Sequence, residues 1–289
     1  MSMDYTTLIS ADQLQALLDT GRPLMIFDCS FDLAKPQSGD AIFTDAHIPG
    51  AVRADLDRHL SAKGNPNAAS GGRHPLPERA AIARWLGSVG LSNDMQVVVY
   101  DRQGVNYCGR LWWMLKWVGH ERVAVLDGGM PAWYAAGGVV TSGAATLHAP
   151  QDFQLQPERA VLVSAQQVHE GLADDAGQCL IDARAEPRYR GEVEPLDPVA
   201  GHIPGALNRP FTSNIDDDGL FKPAIVLKAE LLELLDGRDP STVVHHCGSG
   251  VTAVPNLLAM EIAGLGRQAL FAGSWSEWCS DPSRPVERG

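Results

Sequence analysis

The sequence predicts an α/β protein in which one domain occurs twice, each copy a parallel sheet with helices on both faces. Three observations lead there. Segments of the first half recur in order in the second: SADQLQALLDTGRPLMIFDCS (10–30) aligns without a gap on SAQQVHEGLADDAGQCLIDAR (164–184), AHIPGAVRADL (46–56) on GHIPGALNRPF (201–211), VVVYDRQGV (97–105) on VVHHCGSGV (243–251), and VLDGGMPAWYAAGG (125–138) on LFAGSWSEWCSDPS (270–283). Within each copy, short apolar runs (LMIFD, QVVVYD and RVAVLDGG; CLIDA, TVVHHC and QALFAG) alternate with amphipathic stretches such as SADQLQALLDT, PERAAIARWLGSVG and LKAELLELLDG. That alternation reads as βα units, whose crossovers cover both faces of a parallel sheet. The intervening TSGAATLHAPQDFQLQPERA (141–160) lacks periodic pattern and is rich in small and polar residues, which reads as a linker. The expected division is a first copy over 1–141, a linker over 142–160 and a second copy over 161–289. Each copy is long enough to own a core, so this is a tandem pair rather than a solenoid.

Bulk properties narrow the function classes. The 289 residues are 45% hydrophobic and 20% charged, with a mean hydropathy of −0.10, as in ordinary globular proteins. No apolar run reaches the length of a membrane span, and the N-terminal MSMDYTTLISADQLQ lacks a basic region followed by an apolar core, so neither a membrane partner nor a secretory signal is expected. A formal charge of −12 argues against a nucleic-acid partner, whose binding rests on phosphate neutralisation. It leaves room for a small anionic substrate in a locally positive pocket. The five cysteines (Cys29, Cys108, Cys179, Cys247 and Cys279) are scattered, with no CxxC pair or Cys/His cluster, so no metal site is expected and a reduced, cytoplasmic protein is.

The chemistry concentrates in VVHHCGSGVTAVPNLLAM (243–260). Val243 and Val244 read as the end of a buried strand, Gly248 and Gly250 permit a tight loop, and Thr252 is placed to cap a helix starting near Ala253. Parallel α/β sheets place ligands at that handover. A thiol there meets backbone N–H groups and a positive helix end, both of which favour thiolate. The alternative is a buried structural cysteine beside a turn. The repeat is asymmetric at this point: Cys247 aligns with Asp101 and Ser249 with Gln103, while Gly250 and Val251 repeat Gly104 and Val105. Only the second copy carries a nucleophile, which makes it the catalytic copy and the first a non-catalytic one expected to wall the site.

The two HIPGA segments, the DGGMPAW and AGSWSEW endings and the HCGSGVTA loop together resemble the rhodanese superfamily, and within it the tandem-domain sulfurtransferases, over nearly the whole chain. The CGSGVT loop looks like that of enzymes acting on 3-mercaptopyruvate; thiosulfate-specific relatives usually carry basic residues directly after the cysteine. The resemblance implies two tandem rhodanese-like domains and a sulfurtransferase. In it the Cys247 thiolate takes the sulfur of 3-mercaptopyruvate, pyruvate departs, and the persulfide is passed to a thiol, such as thioredoxin or a small thiol, or to cyanide. No cofactor is implied, since sulfur is the group carried. Gly248, Gly250, Val251 and Thr252 would surround the persulfide anion with backbone N–H groups. Arg188, in EPRYRG, aligns with an arginine that binds the substrate carboxylate, a group its planar fork suits; a surface salt bridge is the alternative. Ser249, His74 (in GGRHPLP) and Asp55 (in HIPGAVRADLD) align with a Ser-His-Asp relay acting on the substrate thiol, against the alternative that His74 orders a proline-bounded loop.

One departure bears on the donor. Mercaptopyruvate enzymes commonly carry a second substrate arginine where this chain reads GEVEPLDPVA (191–200), which has none. Either the nearby Arg190 takes that arginine's place or the carboxylate is held less tightly, and thiosulfate therefore stands as the alternative donor. His47 and His202 are expected to brace loops, because both copies have them. Asp28, Asp182 and Arg184 are expected to hold loops by ion pairs, Trp112, Trp113 and Trp117 to form a core helix face, Trp275 to line the pocket, and the other four cysteines to be bystanders. A phosphatase would need an arginine six residues after the cysteine, where Ala253 stands. A non-catalytic rhodanese-like binding module remains the alternative of another class, against which the retention of Cys247 counts.

Overall fold

Strand runs such as VVVY and VVHH are buried on both faces, which demands cover above and below and favours parallel pairing with helical crossovers. The computed structural model describes residues 4–173 and 177–289 and falls into two compact units. The first comprises the chain up to Ala62, Pro77–Arg159 and Asp218–Leu220; the second comprises Lys63–Leu76, Ala160–Asp217 and Phe221–Gly289. The repeat places residues 63–76 in the first copy, whereas their contacts place them in the second unit.

The first unit runs β1 (Leu8–Ile9), α1 (Ala11–Asp19), β2 (Leu24–Asp28), α2 (Ser38–Asp45), β3 (Ala51–Arg53), α3 (Arg79–Ser88), β4 (Gln96–Tyr100), α4 (Cys108–Trp117), β5 (Val123–Leu126) and α5 (Gly129–Ala135). Its sheet is parallel throughout, in the order β1-β5-β4-β2-β3. A reciprocal capping box between Ser10 and Gln13 starts α1. Ile26, Val98, Leu126 and Trp133 belong to one core cluster, and α4 is buried along its whole length, including Trp112, Trp113 and Trp117. Residues 142–159 form no helix or strand and are tied to this unit by bonds from Gln151 N–H to the Gly87 carbonyl (2.9 Å) and from Gln156 N–H to the Val118 carbonyl (3.1 Å).

The second unit repeats the plan with β6 (Val161–Val163), α6 (Ala165–Ala173), β7 (Cys179–Asp182), α7 (Glu186–Tyr189), β8 (Leu207–Asn208), α8 (Ala224–Leu235), β9 (Val243–His246), α9 (Val254–Ile262), β10 (Ala269–Phe271) and α10 (Ser274–Trp278). Its parallel order, β6-β10-β9-β7-β8, is the same permutation. From β7 the chain moves outward to β8, and from β9 it moves the other way to β10. The strand order therefore reverses between β7 and β9, and a crevice at the carboxyl ends of such a pair is where open parallel sheets bind ligands. Asp182 ends β7 opposite His246 of β9, and Cys247 is the next residue.

Candidate active site

Cys247 leaves β9 at this switch point and is 1% exposed. Its N–H donates to Ser274 Oγ (3.1 Å), its carbonyl accepts from Trp275 N–H (3.0 Å), and the Gly248 carbonyl accepts from Ser276 N–H (2.9 Å). The start of α10 thus clamps the cysteine loop, with Ser274 in the left-handed region at φ +54°. Gly250, at φ +72°, passes so close to the Ala272 carbonyl that any Cβ would collide with it. Thr252 does not cap α9. The position before the helix is Ala253, already in helical geometry (φ −72°, ψ −27°) and without a side-chain cap, and Pro255 occupies the first turn. Capping needs extended backbone at that position, and the loop enters the helix without it.

Three arginines surround the loop. Arg188, at the end of α7, binds Glu194 through Nη2 (2.7 Å) and Nε (3.2 Å) and approaches Asp197 (3.5 Å). Arg73 pairs with the other oxygen of Asp197. Arg184 spans both oxygens of Asp182 (2.7–3.1 Å), donates to the Gly201 carbonyl (2.7 Å) and lies 4.8 Å from the centroid of the buried Trp275 ring. Burial works against the charge of Arg184, and Asp182, Glu194 and Cys247 hold it protonated. Burial likewise works against ionised Glu194, yet the hydrogen bonds from Arg188 and the Leu196 N–H keep its carboxyl below the usual range. Arg73, Glu194 and Asp197 also stand at this loop, although no motif in the sequence singles them out. Arg73 sits beside His74 in the quoted GGRHPLP, but only its guanidinium's position distinguishes it from a surface arginine.

Ser249 and His74 meet: the hydroxyl and Nδ1 are 2.8 Å apart, and both residues are buried. Asp55 is a residue of the first unit, where Oδ1 accepts the N–H groups of Asp57 and Arg58 (both 3.0 Å) and Oδ2 accepts from Arg53 (3.3 Å). Burial opposes ionisation of Asp55, and those Arg58 and Arg53 contacts overcome it and lower its pKa. His47 and His202 play the matching bracing role expected of them, each bonded through Nδ1 to a carbonyl (Phe43, 2.7 Å; Tyr189, 2.8 Å) and stacked on that residue's ring. Asp182 and Arg184 form the anticipated ion pair, whereas Asp28 accepts the Ser30 N–H (2.8 Å), because serine stands in the first copy where Arg184 stands in the second.

The first unit shows what the equivalent loop does with an anion. Asp101 is fully buried, and its carboxylate accepts four backbone N–H groups, from Gln103 (2.9 Å), Val105 (3.1 Å), Tyr107 (2.8 Å) and Cys108 (2.9 Å). Gly104, at φ +66°, turns this loop as Gly250 turns the other, although Val105 is also left-handed (φ +74°) and its counterpart Val251 is not. No group of three metal-ligating side chains occurs among the described residues, and no described helix is long and apolar enough to cross a membrane.

Comparison with known proteins agrees with this geometry. The rhodanese-like domain family matches residues 10–136 and 164–281. The chain is 46% identical over 288 residues to a Pseudomonas aeruginosa protein named "Probable 3-mercaptopyruvate sulfurtransferase", covering 99% of this chain and 100% of that one. It is 33% identical over 282 residues to a thiosulfate sulfurtransferase of Bos taurus, covering 95% and 92%. Among solved structures it resembles the 3-mercaptopyruvate sulfurtransferase from Leishmania major at a TM-score of 0.78 and 29% identity, covering 95% of this chain and 74% of that one. Family match, duplicated parallel sheet and a cysteine at the switch point of the second copy agree: the chain belongs to the rhodanese-like family, as a tandem-domain sulfurtransferase.

Proposed function

We propose that the chain is a 3-mercaptopyruvate sulfurtransferase working through a persulfide on Cys247. The Cys247 thiolate donates an electron pair to the sulfur of 3-mercaptopyruvate, forming an S–S bond. The C–S bond breaks onto carbon, leaving pyruvate enolate, and the proton of the former thiol completes pyruvate. Ser249 and His74 are the groups that handle this proton, with Asp55 the third member of the proposed relay, and Arg188 holds the substrate carboxylate. The N–H groups of the 248–253 loop hold the persulfide anion as those of the first unit hold the Asp101 carboxylate. A thiol, on thioredoxin or a small molecule, or cyanide then takes the outer sulfur. The proposed setting is reducing and cytoplasmic.

The observation that carries this reading is the Ser249–His74 pair one residue from Cys247's neighbour, in a loop whose own side chains bear no charge. A donor with a proton to manage and a planar carboxylate needs those groups; thiosulfate, a compact dianion, needs charge beside the sulfur. What favours thiosulfate as a second reading is the presence of Arg73 and Arg188 near Gly248, though both already face Asp197.

Initial rates with the two donors, measured on one preparation with cyanide as acceptor, test this, together with intact mass after donor treatment. Mercaptopyruvate is expected to be the better donor, with one sulfur added to the wild type and none to Cys247→Ser. Preference for thiosulfate, or persulfide persisting on the serine variant, overturns it.

A further inference from the structure

Two guanidinium groups converge on one point of the cysteine loop. A Cβ placed on Gly248 would lie 3.0 Å from Nη2 of Arg73, 3.4 Å from Nη1 of Arg188 and 3.6 Å from its Nη2. Gly248 directly follows the nucleophile. Like charges gathered so closely repel unless an anion stands between them, and Asp197 does so, one oxygen on Arg73 and the other 3.5 Å from Arg188. Its side chain is 3% exposed, while those of Arg73 and Arg188 are 28% and 19% exposed. The carboxylate is sunk behind two cations that remain open to a ligand. No basic residue occurs in 191–200, and Arg190 is exposed and paired with Glu186 rather than placed at Gly248, so Arg73 is the cation that the fold supplies opposite Arg188.

Its position is built in. Gly72, at φ +85°, packs so tightly that a Cβ there would stand 2.5 Å from the Gly273 carbonyl and 2.6 Å from Ser276 Oγ. The Arg73 N–H then donates to that same Ser276 Oγ (3.0 Å), while the Ser276 N–H holds the Gly248 carbonyl (2.9 Å). One residue at the start of α10 thereby fixes both the backbone that carries Arg73 and the backbone that follows Cys247. A lone surface ion pair contributes little and would need no such anchoring.

We infer that Arg73 is a second substrate-binding arginine, which with Arg188 clasps the carboxylate of an α-keto acid donor over Gly248. This rests on the reading that Arg188 holds the mercaptopyruvate carboxylate. Arg188 gives Nε and Nη2 to Glu194 and keeps Nη1 toward Gly248, while Asp197 is the only acceptor of the Arg73 side chain among the described residues, which leaves Arg73 Nη2 for a ligand. Glu194 fixes Arg188 and Asp197 fixes Arg73, so a carboxylate binds between the two guanidiniums without first ordering either side chain.

The test compares wild type with Arg73→Gln, Arg73→Lys and Arg188→Gln, reading KM and kcat for mercaptopyruvate, inhibition by pyruvate, and thermal unfolding. Arg73→Gln is expected to raise KM about tenfold or more and weaken pyruvate inhibition by a similar factor, with kcat within about twofold. Arg73→Lys should recover part of the loss and serves alone if the glutamine variant does not fold. A KM and pyruvate inhibition unchanged in both Arg73 variants while Arg188→Gln shifts them overturns the role of Arg73 and leaves that of Arg188 standing. No shift in any variant, or no turnover of mercaptopyruvate by the wild type, overturns the underlying reading and this inference with it. Equal loss with thiosulfate would show a general anion site and overturn the keto-acid assignment.

Discussion

The Ser249 hydroxyl lies 2.8 Å from Nδ1 of His74, a residue 175 positions earlier in the chain that belongs to the same compact unit. Burial of both keeps water from competing for the bond. If the pair manages the proton of a mercaptan, Ser249→Ala and His74→Gln should each slow mercaptopyruvate turnover by about a hundredfold. The double variant should be no slower than either single one, because the two act as a unit. Thiosulfate turnover should change far less. Steady-state rates with both donors decide it, and equal losses would mean the hydroxyl only shapes the loop.

Asp101 is expected to be a stability residue of the first unit. Its carboxylate satisfies four buried N–H groups. Asp101→Asn removes the charge and turns an NH2 donor toward other donors. A cost of about 2–4 kcal/mol should follow in urea unfolding, since bonds to charged groups are worth about 1.5–3 kcal/mol each. Persulfide loading of Cys247, followed by mass, should be retained in the folded fraction.

Gly104 and Gly250 occupy the same loop position in the two copies and should respond differently to alanine. Both have positive φ, so each substitution incurs about 1–2 kcal/mol of backbone strain. A Cβ at Gly104 meets nothing within 4 Å, whereas one at Gly250 collides with a backbone carbonyl that cannot rotate away. Gly104→Ala should therefore load sulfur normally, and Gly250→Ala should lose persulfide formation as its loop is displaced. Parallel donor assays on the two variants check the contrast.

Acid should destabilise the second unit through His245. Burial, with a smaller push from the neighbouring His246, lowers its pKa to about 3, and neither ring nitrogen has a hydrogen-bond partner among the described residues. The folded pKa lies below the unfolded value of about 6.5, so the unfolded chain takes up the proton first. Stability is full above pH ~6.5 and is lost as pH falls toward the folded value, at about 1.4 kcal/mol per unit. His245→Phe removes that proton site. Relative to wild type it should gain about 2–3 kcal/mol between pH ~7 and pH ~4.5 in urea unfolding. Wild-type and variant curves that stay parallel over that range would contradict this origin of the acid sensitivity.

The linear sequence determined what depends on local pattern. Apolar runs alternating with amphipathic stretches, and their recurrence, were enough to specify two parallel sheets, and the alignment of Asp101 with Cys247 is what motivates the proposal that the second copy carries the nucleophile. These properties travel with short segments, because side chains on both faces of a strand and the stripe of a helix are written within a few residues. Local pattern misled where backbone geometry intervened. Thr252 stands where a cap is expected, but the residue that precedes the helix is Ala253, which is already helical and has no side chain to cap with.

Tertiary structure alone decided which distant segments share a unit. Residues 63–76 read as part of the first copy by alignment, yet they join the second, where Gly72 lacks the side chain that would keep them from the start of α10. That approach brings His74 to Ser249 and Arg73 over Gly248, and places Asp197 between two arginines. Such contacts have no signature in periodicity or spacing. They depend on backbones passing within a few ångströms of each other, which a glycine permits and only the folded chain carries out.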